Sequence, residues 1–142
     1  MYQNSERSQQ MLEKLERFFD ENIYPNEAAY AQQLHNAENR FAPLPLMEEL
    51  KLKAKAAGLW NLFVPPSHAE YCDHGGLSFA EYAPLCELMG REIWSPEVVN
   101  CNAPDTGSME VFMNYATKEQ QSKWLQPLLA GDIRSSYAMT EP

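Results

Sequence analysis

Residues 5–25, SERSQQMLEKLERFFDENIYP, carry the pattern from which the fold class follows. Met11, Leu12, Leu15, Phe18, Phe19 and Ile23 recur at the irregular short steps that put side chains on one face of a helix. Ser5 is placed to cap the start, and Glu6 lies in the first turn, where a carboxylate suits the exposed N–H groups. Glu13, Glu16 and Arg17 fall off the apolar stripe, on the side left to water. Pro25 disfavours the helical conformation at Tyr24 and so ends the run. The spacing predicts a helix over 6–23.

The same reading extends along the chain. A shorter helix is expected over 26–38, burying Ala29, Tyr30 and Leu34 and stopped before Pro43 and Pro45. Pro45 can open a third helix, where its missing N–H costs nothing, with Leu46, Leu50, Ala54 and Ala57 inward and Gly58 closing it. Residues 59–66, LWNLFVPP, fit either a buried strand or an extended crossing segment, and 65–76 read as a loop. Helical spacing returns over 77–89, with Phe79, Tyr82, Leu85, Cys86 and Met89 on one side, Pro84 inside and Gly90 at the end. Ser95-Pro96-Glu97 signals another helix start, interrupted at Pro104 and resumed near Asp105 or Thr106. Met109, Val111, Phe112 and Met113 make that resumed helix the most apolar of the set. Thr117 and Gln120 have the spacing of a capping box, opening a last helix with Trp124, Leu125, Leu128 and Leu129, kinked at Pro127 and closed at Gly131. About six helices and hardly a strand make an all-α bundle. Only residues 134–142, RSSYAMTEP, alternate like the start of a strand, and nothing upstream offers the partner that a strand's backbone groups require. The chain is therefore expected to divide into a helical domain over 1–133 and the beginning of a β domain over 134–142.

Composition narrows the function classes. A chain of 142 residues fits one domain, and 11% aromatic content excludes intrinsic disorder. The net charge of −9 argues against a nucleic-acid or anionic-lipid surface. No apolar run approaches the roughly 20 residues of a membrane span, and no secretory signal opens the chain, so no membrane partner is expected. Cys72, Cys86 and Cys101 are an odd count without framework spacing, which points to a reducing, cytoplasmic setting. His68, Cys72 and His74 share one loop, with Glu70 and Asp73 nearby, and compose a metal-ligand candidate. Zinc sites need three or four ligands in closely spaced pairs, so a solvated polar loop is the preferred reading and no metal is expected. Phosphate-binding and hydrolase motifs do not occur.

Three stretches in the C-terminal third go further: residues 82–91, YAPLCELMGR; 100–110, NCNAPDTGSME; and 119–131, EQQSKWLQPLLAG, followed by YAMTEP at 137–142. In this order and spacing they resemble the acyl-CoA dehydrogenase family, and the middle block is similar to the subgroup containing family members ten and eleven. The resemblance implies an N-terminal helical domain ending at the first strand of a β domain. The family removes hydrogens from the α and β carbons of an acyl-CoA: a carboxylate takes the α proton, FAD takes the β hydrogen as hydride, and electron-transfer flavoprotein accepts the electrons.

Carried onto this sequence, the resemblance implies that Tyr137, Met139 and Thr140 meet the flavin ring, whose carbonyl oxygens and N5 need directed donors. Val99, Ala103 and Gly107, spaced by four, are the expected lining for the acyl chain; close helix packing around small residues is the alternative. Glu141 has a structural place in the motif, and the catalytic carboxylate is expected in a later domain. The chain alone is thus expected to be inactive, to retain no FAD, and to form a homo-oligomer through apolar faces left uncovered. The competing readings are a stand-alone helical interaction module without catalysis and a metal protein centred on His68, Cys72 and His74.

Overall fold

The computed structural model describes residues 4–39 and 41–139. Thr140, Glu141 and Pro142 lie outside the described residues. Ser5 caps the first helix as its sequence position predicts: its hydroxyl accepts from the Ser8 N–H, and α1 runs Glu6–Phe18 with Leu15 and Phe18 buried. The helical path does not stop at Pro25. It widens into a π turn at Phe19–Ile23, tightens into a 3₁₀ turn at Tyr24–Asn26, and continues as α2, Glu27–Asn36. A proline ring collides with the carbonyl four residues earlier, and a widened turn moves that carbonyl aside. The chain repeats the device at Pro127: after α7, Lys118–Gln120, a π turn at Gln121–Leu125 precedes α8, Gln126–Ala130.

Between these ends stand α3, Pro45–Ala56, α4, Phe79–Met89, α5, Ser95–Val98, and α6, Asp105–Tyr115. Proline opens α3 and the capping box forms at Thr117 with Gln120, as expected; a second box, not expected from the sequence, forms at Ser78 with Glu81. Among the described residues no strand occurs, and the architecture is all-α. Residues 59–66 take neither expected form, strand or extended crossing: they bend and turn at 60–63, where Asn61 is left-handed, and still bury Leu59, Leu62 and Val64 fully.

The core has two parts. Leu15, Phe19 and Ile23 of the first helix meet Leu50 of α3, Leu85 and Met89 of α4, and Val98. Phe63, Val64, Met109, Met113, Leu125 and Leu128 form the second cluster. Tyr82 and Cys101 pack against both. An amide hub ties the 59–66 segment to the C-terminal helix. Asn100 Nδ2 donates to Asn61 Oδ1 at 2.7 Å and to the Leu128 carbonyl at 3.0 Å, while Asn61 Nδ2 donates to the Leu129 carbonyl at 3.1 Å. Both asparagines have left-handed backbones, at φ 57° and 54°, a conformation Asn tolerates better than most residues.

Several expected details are corrected. Leu34 is not on a buried face: α2 contributes Ala29 and Tyr30, with Tyr30 stacked on Trp94 at 4.5 Å, and Leu34 stays exposed. Phe79 and Cys86 are exposed too, because α4 turns Leu85, Leu88 and Met89 inward against α1. Gly90 keeps a right-handed backbone at φ −66°. Ser95 does not cap α5; its hydroxyl is buried and donates to the Met89 carbonyl at 2.9 Å. Over the described residues of the expected strand start, 134–139, no second strand lies alongside.

Candidate functional site

Two of the residues singled out by sequence, Gly107 and Tyr137, come together at the start of α6. Arg134 and Ser135 are drawn onto Asp105, whose residue is 1% exposed. Asp105 Oδ1 accepts from the Ser135 N–H and the Ser135 hydroxyl, both at 2.7 Å. Its Oδ2 accepts from Arg134 Nε and, at 3.2 Å, from Asn102 Nδ2. Burial alone pushes the Asp105 carboxyl up, but the Ser135 N–H, the Ser135 hydroxyl and Arg134 outweigh it and hold it below the usual aspartate value. Arg134 reaches on to Glu97 at 2.6 Å, and Glu97 meets the ammonium of the buried Lys51 at 3.0 Å, which also contacts Glu48 at 2.8 Å. A charge chain therefore runs from α3 through α5 to α6 and residue 134.

Beyond Ser135 the described chain belongs to no helix or strand, and its side chains face outward. Tyr137 is 52% exposed and Met139 79% exposed. The Tyr137 hydroxyl lies over Gly107, 2.8 Å from where a Cβ would stand. Among the described residues, the backbone N–H groups of 136–139 make no hydrogen bond within the chain. Thr140, expected beside Tyr137 and Met139, lies outside the described residues.

The three expected acyl-lining residues do not share a helix. Val99 is fully buried in the first core cluster, Ala103 is exposed in the turn after α5, and Gly107 lies in the first turn of α6 under Tyr137. Among the metal-ligand candidates, His68 faces α6 and pairs with Asn114 Oδ1 at 3.1 Å. Cys72 and His74 pair with each other at 3.7 Å, and His74 Nε2 meets the Asn61 carbonyl at 3.1 Å. Burial lowers the His74 pKa and raises that of Cys72, leaving both neutral in neutral solution. Among the described residues no three His, Cys, Asp or Glu side chains converge as a metal site. No described helix is long and apolar enough to cross a membrane.

Sequence reasoning missed the partners that fix the site. Asp105 reads as a helix-start residue and Arg134 as the first residue of a strand start, and 29 positions separate them. The only local signal is the Pro104-Asp105-Thr106-Gly107 run, whose proline and glycine mark a constrained approach but name no partner.

Comparison with known proteins gives one consistent result. Residues 5–132 match the family model described as acyl-CoA dehydrogenase, N-terminal domain. Acyl-CoA dehydrogenase family member 10 of Mus musculus is 48% identical over 133 residues, covering 93% of this chain and 12% of that protein. Acyl-CoA dehydrogenase family member 11 of Gallus gallus is 43% identical over 145 residues, all of this chain and 18% of that one. A solved structure of a protein assigned as an acyl-CoA dehydrogenase from Mycobacterium abscessus superposes with a TM-score of 0.85 at 44% identity, over 99% of this chain and 36% of its own. This chain thus spans less than a fifth of these two curated relatives. The helical layout, the capped turns and the matched span agree: the chain belongs to the acyl-CoA dehydrogenase family, as its N-terminal helical domain.

Proposed function

We propose that the chain serves an FAD-dependent dehydrogenation of acyl-CoA thioesters at the α and β carbons, contributing one flavin edge and part of the acyl path. The observation that carries this reading is the contact of Tyr137 with Gly107. It joins the segment assigned to the flavin with the helix assigned to the acyl chain, and the two must meet where the reacting carbons lie against the ring. When bound, the flavin supplies the hydride acceptor. The chain's own share is orientation: the open N–H groups of 136–139 and the Tyr137 and Met139 side chains, with Thr140, border the ring. Ala103 and Gly107 are the accessible small positions for the acyl chain, and Val99 supports them from the core.

Proton removal belongs elsewhere. Asp105 is the buried carboxylate nearest this edge, and it is saturated by donors and held in its ionised, weakly basic form. The chain by itself is therefore proposed to be inactive and to retain little FAD, with electron-transfer flavoprotein as the partner of the whole enzyme. A homo-oligomer and a cytoplasmic setting complete the proposal.

The test is a chimera in which this chain replaces the matching part of the Mycobacterium abscessus protein. The expected outcome is a yellow protein with near-stoichiometric FAD that turns over acyl-CoA with an artificial acceptor, while the chain alone does neither. A folded chimera without flavin sinks this reading and favours a helical interaction module. Turnover by the isolated chain sinks the assignment of the base to another part.

A further inference from the structure

Two independent contacts hold residues 134–137 against the first turn of α6, and neither is required by the helical core. The first is the Asp105 carboxylate, which takes the Ser135 backbone N–H as well as the two side chains. A bond to a backbone N–H fixes the register of this segment, because shifting it by one residue would present a different amide to the carboxylate. The second is Gly107. Glycine weakens a helix interior relative to alanine, so its place as third residue of α6 calls for a reason. A Cβ there would stand 2.8 Å from the Tyr137 hydroxyl and would push that ring away. Behind Asp105, the Arg134 guanidinium is shared with Glu97, and Glu97 with Lys51, so the clamp is anchored to α5 and α3 rather than to a loop.

We propose that Asp105 and Gly107 are positioning residues: they seat residues 134–137 on α6 and thereby set the height and register of the edge formed by Tyr137 and Met139. The consequence for a flavin rests on the function proposed above, whereas the seat itself is a property of the chain. A segment with open N–H groups is useful as a cofactor edge only if its register is fixed, since the register decides which donors face the cofactor. Asp105 fixes that register two residues before Tyr137, and Gly107 admits the ring at the depth it occupies.

Hydrogen exchange and NMR on the chain test the seat directly. In Asp105→Asn the Ser135 amide is expected to exchange about tenfold faster or more, with amides of α1 and α4 unchanged. Asp105→Glu, which keeps the charge, should retain more of that protection. In Gly107→Ala the Tyr137 ring resonances should move while the core amides do not. In the chimera, both Asp105→Asn and Gly107→Ala should alter the visible circular dichroism of the bound flavin, a signature that a change in core stability would leave alone. Ser135 exchange within about twofold of the parent in a folded Asp105→Asn chain would overturn the seat. If that variant loses its core protection, Gly107→Ala decides, and unmoved Tyr137 resonances overturn the proposal. A chimera without flavin, beside the expected exchange in the chain, counts against the flavin reading alone.

Discussion

At the scale of single residues, Asp105 concentrates the electrostatics of this domain. Its folded pKa lies below the ordinary value of 3.8 because the Ser135 and Arg134 donors outweigh its burial. A carboxylate of lowered pKa adds stability that is complete above its unfolded value and is lost as pH falls through the folded one. Asp105→Asn should therefore cost about 3 kcal/mol near pH 7, within the range for stripping a buried pair of its charge. The difference should shrink below about pH 4, as the parent carboxyl itself takes up a proton. Urea unfolding of parent and variant at a series of pH values measures this. A gap that stays constant down to pH 2 would contradict the assignment of the stabilisation to the ionised carboxylate.

At the scale of elements, caps and close approaches decide where each segment stops. Ser78 caps α4, and Glu81 closes the box while also accepting from the Ser5 hydroxyl at 2.9 Å. The Ser8 hydroxyl donates to the Glu81 carbonyl at 2.9 Å, so the beginnings of α1 and α4 are stitched together. Ser78→Ala should lower stability by about 1 kcal/mol, the ordinary worth of a helix cap. The loop before α4 has a harder constraint. Gly76 has φ +78°, and a Cβ there would stand 2.6 Å from backbone atoms of Pro65 and Pro66. Backbone cannot yield as a side-chain tip can, so Gly76→Ala should cost more than the cap, about 2 kcal/mol or above. The denaturation midpoints of the two variants give the ranking, and a milder effect at Gly76 than at Ser78 would refute it.

At the scale of the whole molecule, the apolar side chains of α6 divide into two sets. Met109 and Met113 are inside, whereas Val111 is 53% exposed and Tyr115 84% exposed. With Gly107 they are spaced by four along α6, and Tyr137 lies over the first of them. Ile133 and Trp124 are further exposed apolar side chains. Covering a few such groups is worth roughly 1.5–3 kcal/mol each when complete, against several kcal/mol of lost freedom on association. The net charge of −9 opposes association only within a Debye length of about 8 Å at physiological salt. The isolated chain is expected to form a dimer or larger assembly at micromolar concentration, read by sedimentation equilibrium. Substituting Val111 and Tyr115 with serine should shift it toward monomer. A parent that sediments as a clean monomer would show that these side chains need no cover.

What the sequence by itself determined is local. The helices follow from apolar spacing around Leu15 and Phe19, the ends from Ser5, Thr117 and Gly131, and the family from motifs read in linear order. Each of these signals acts within a turn or two of chain, and the spacing that produces it is visible in the residues themselves. The readings that failed were those that needed a neighbour. Leu34, Phe79 and Cys86 have the right spacing for a buried face, but which face is buried depends on what packs against it. The prolines at 25 and 127 predicted a stop and a kink, while the helix found a third solution by widening one turn upstream. Only the tertiary structure brought Asp105 to Ser135, Asn61 to Asn100 and Gly107 beneath Tyr137. Those pairs are separated by about thirty or more residues, and polar contact over such a distance leaves no periodicity to read. Its energy comes from burial and hydrogen bonding that exist only once the helices have packed.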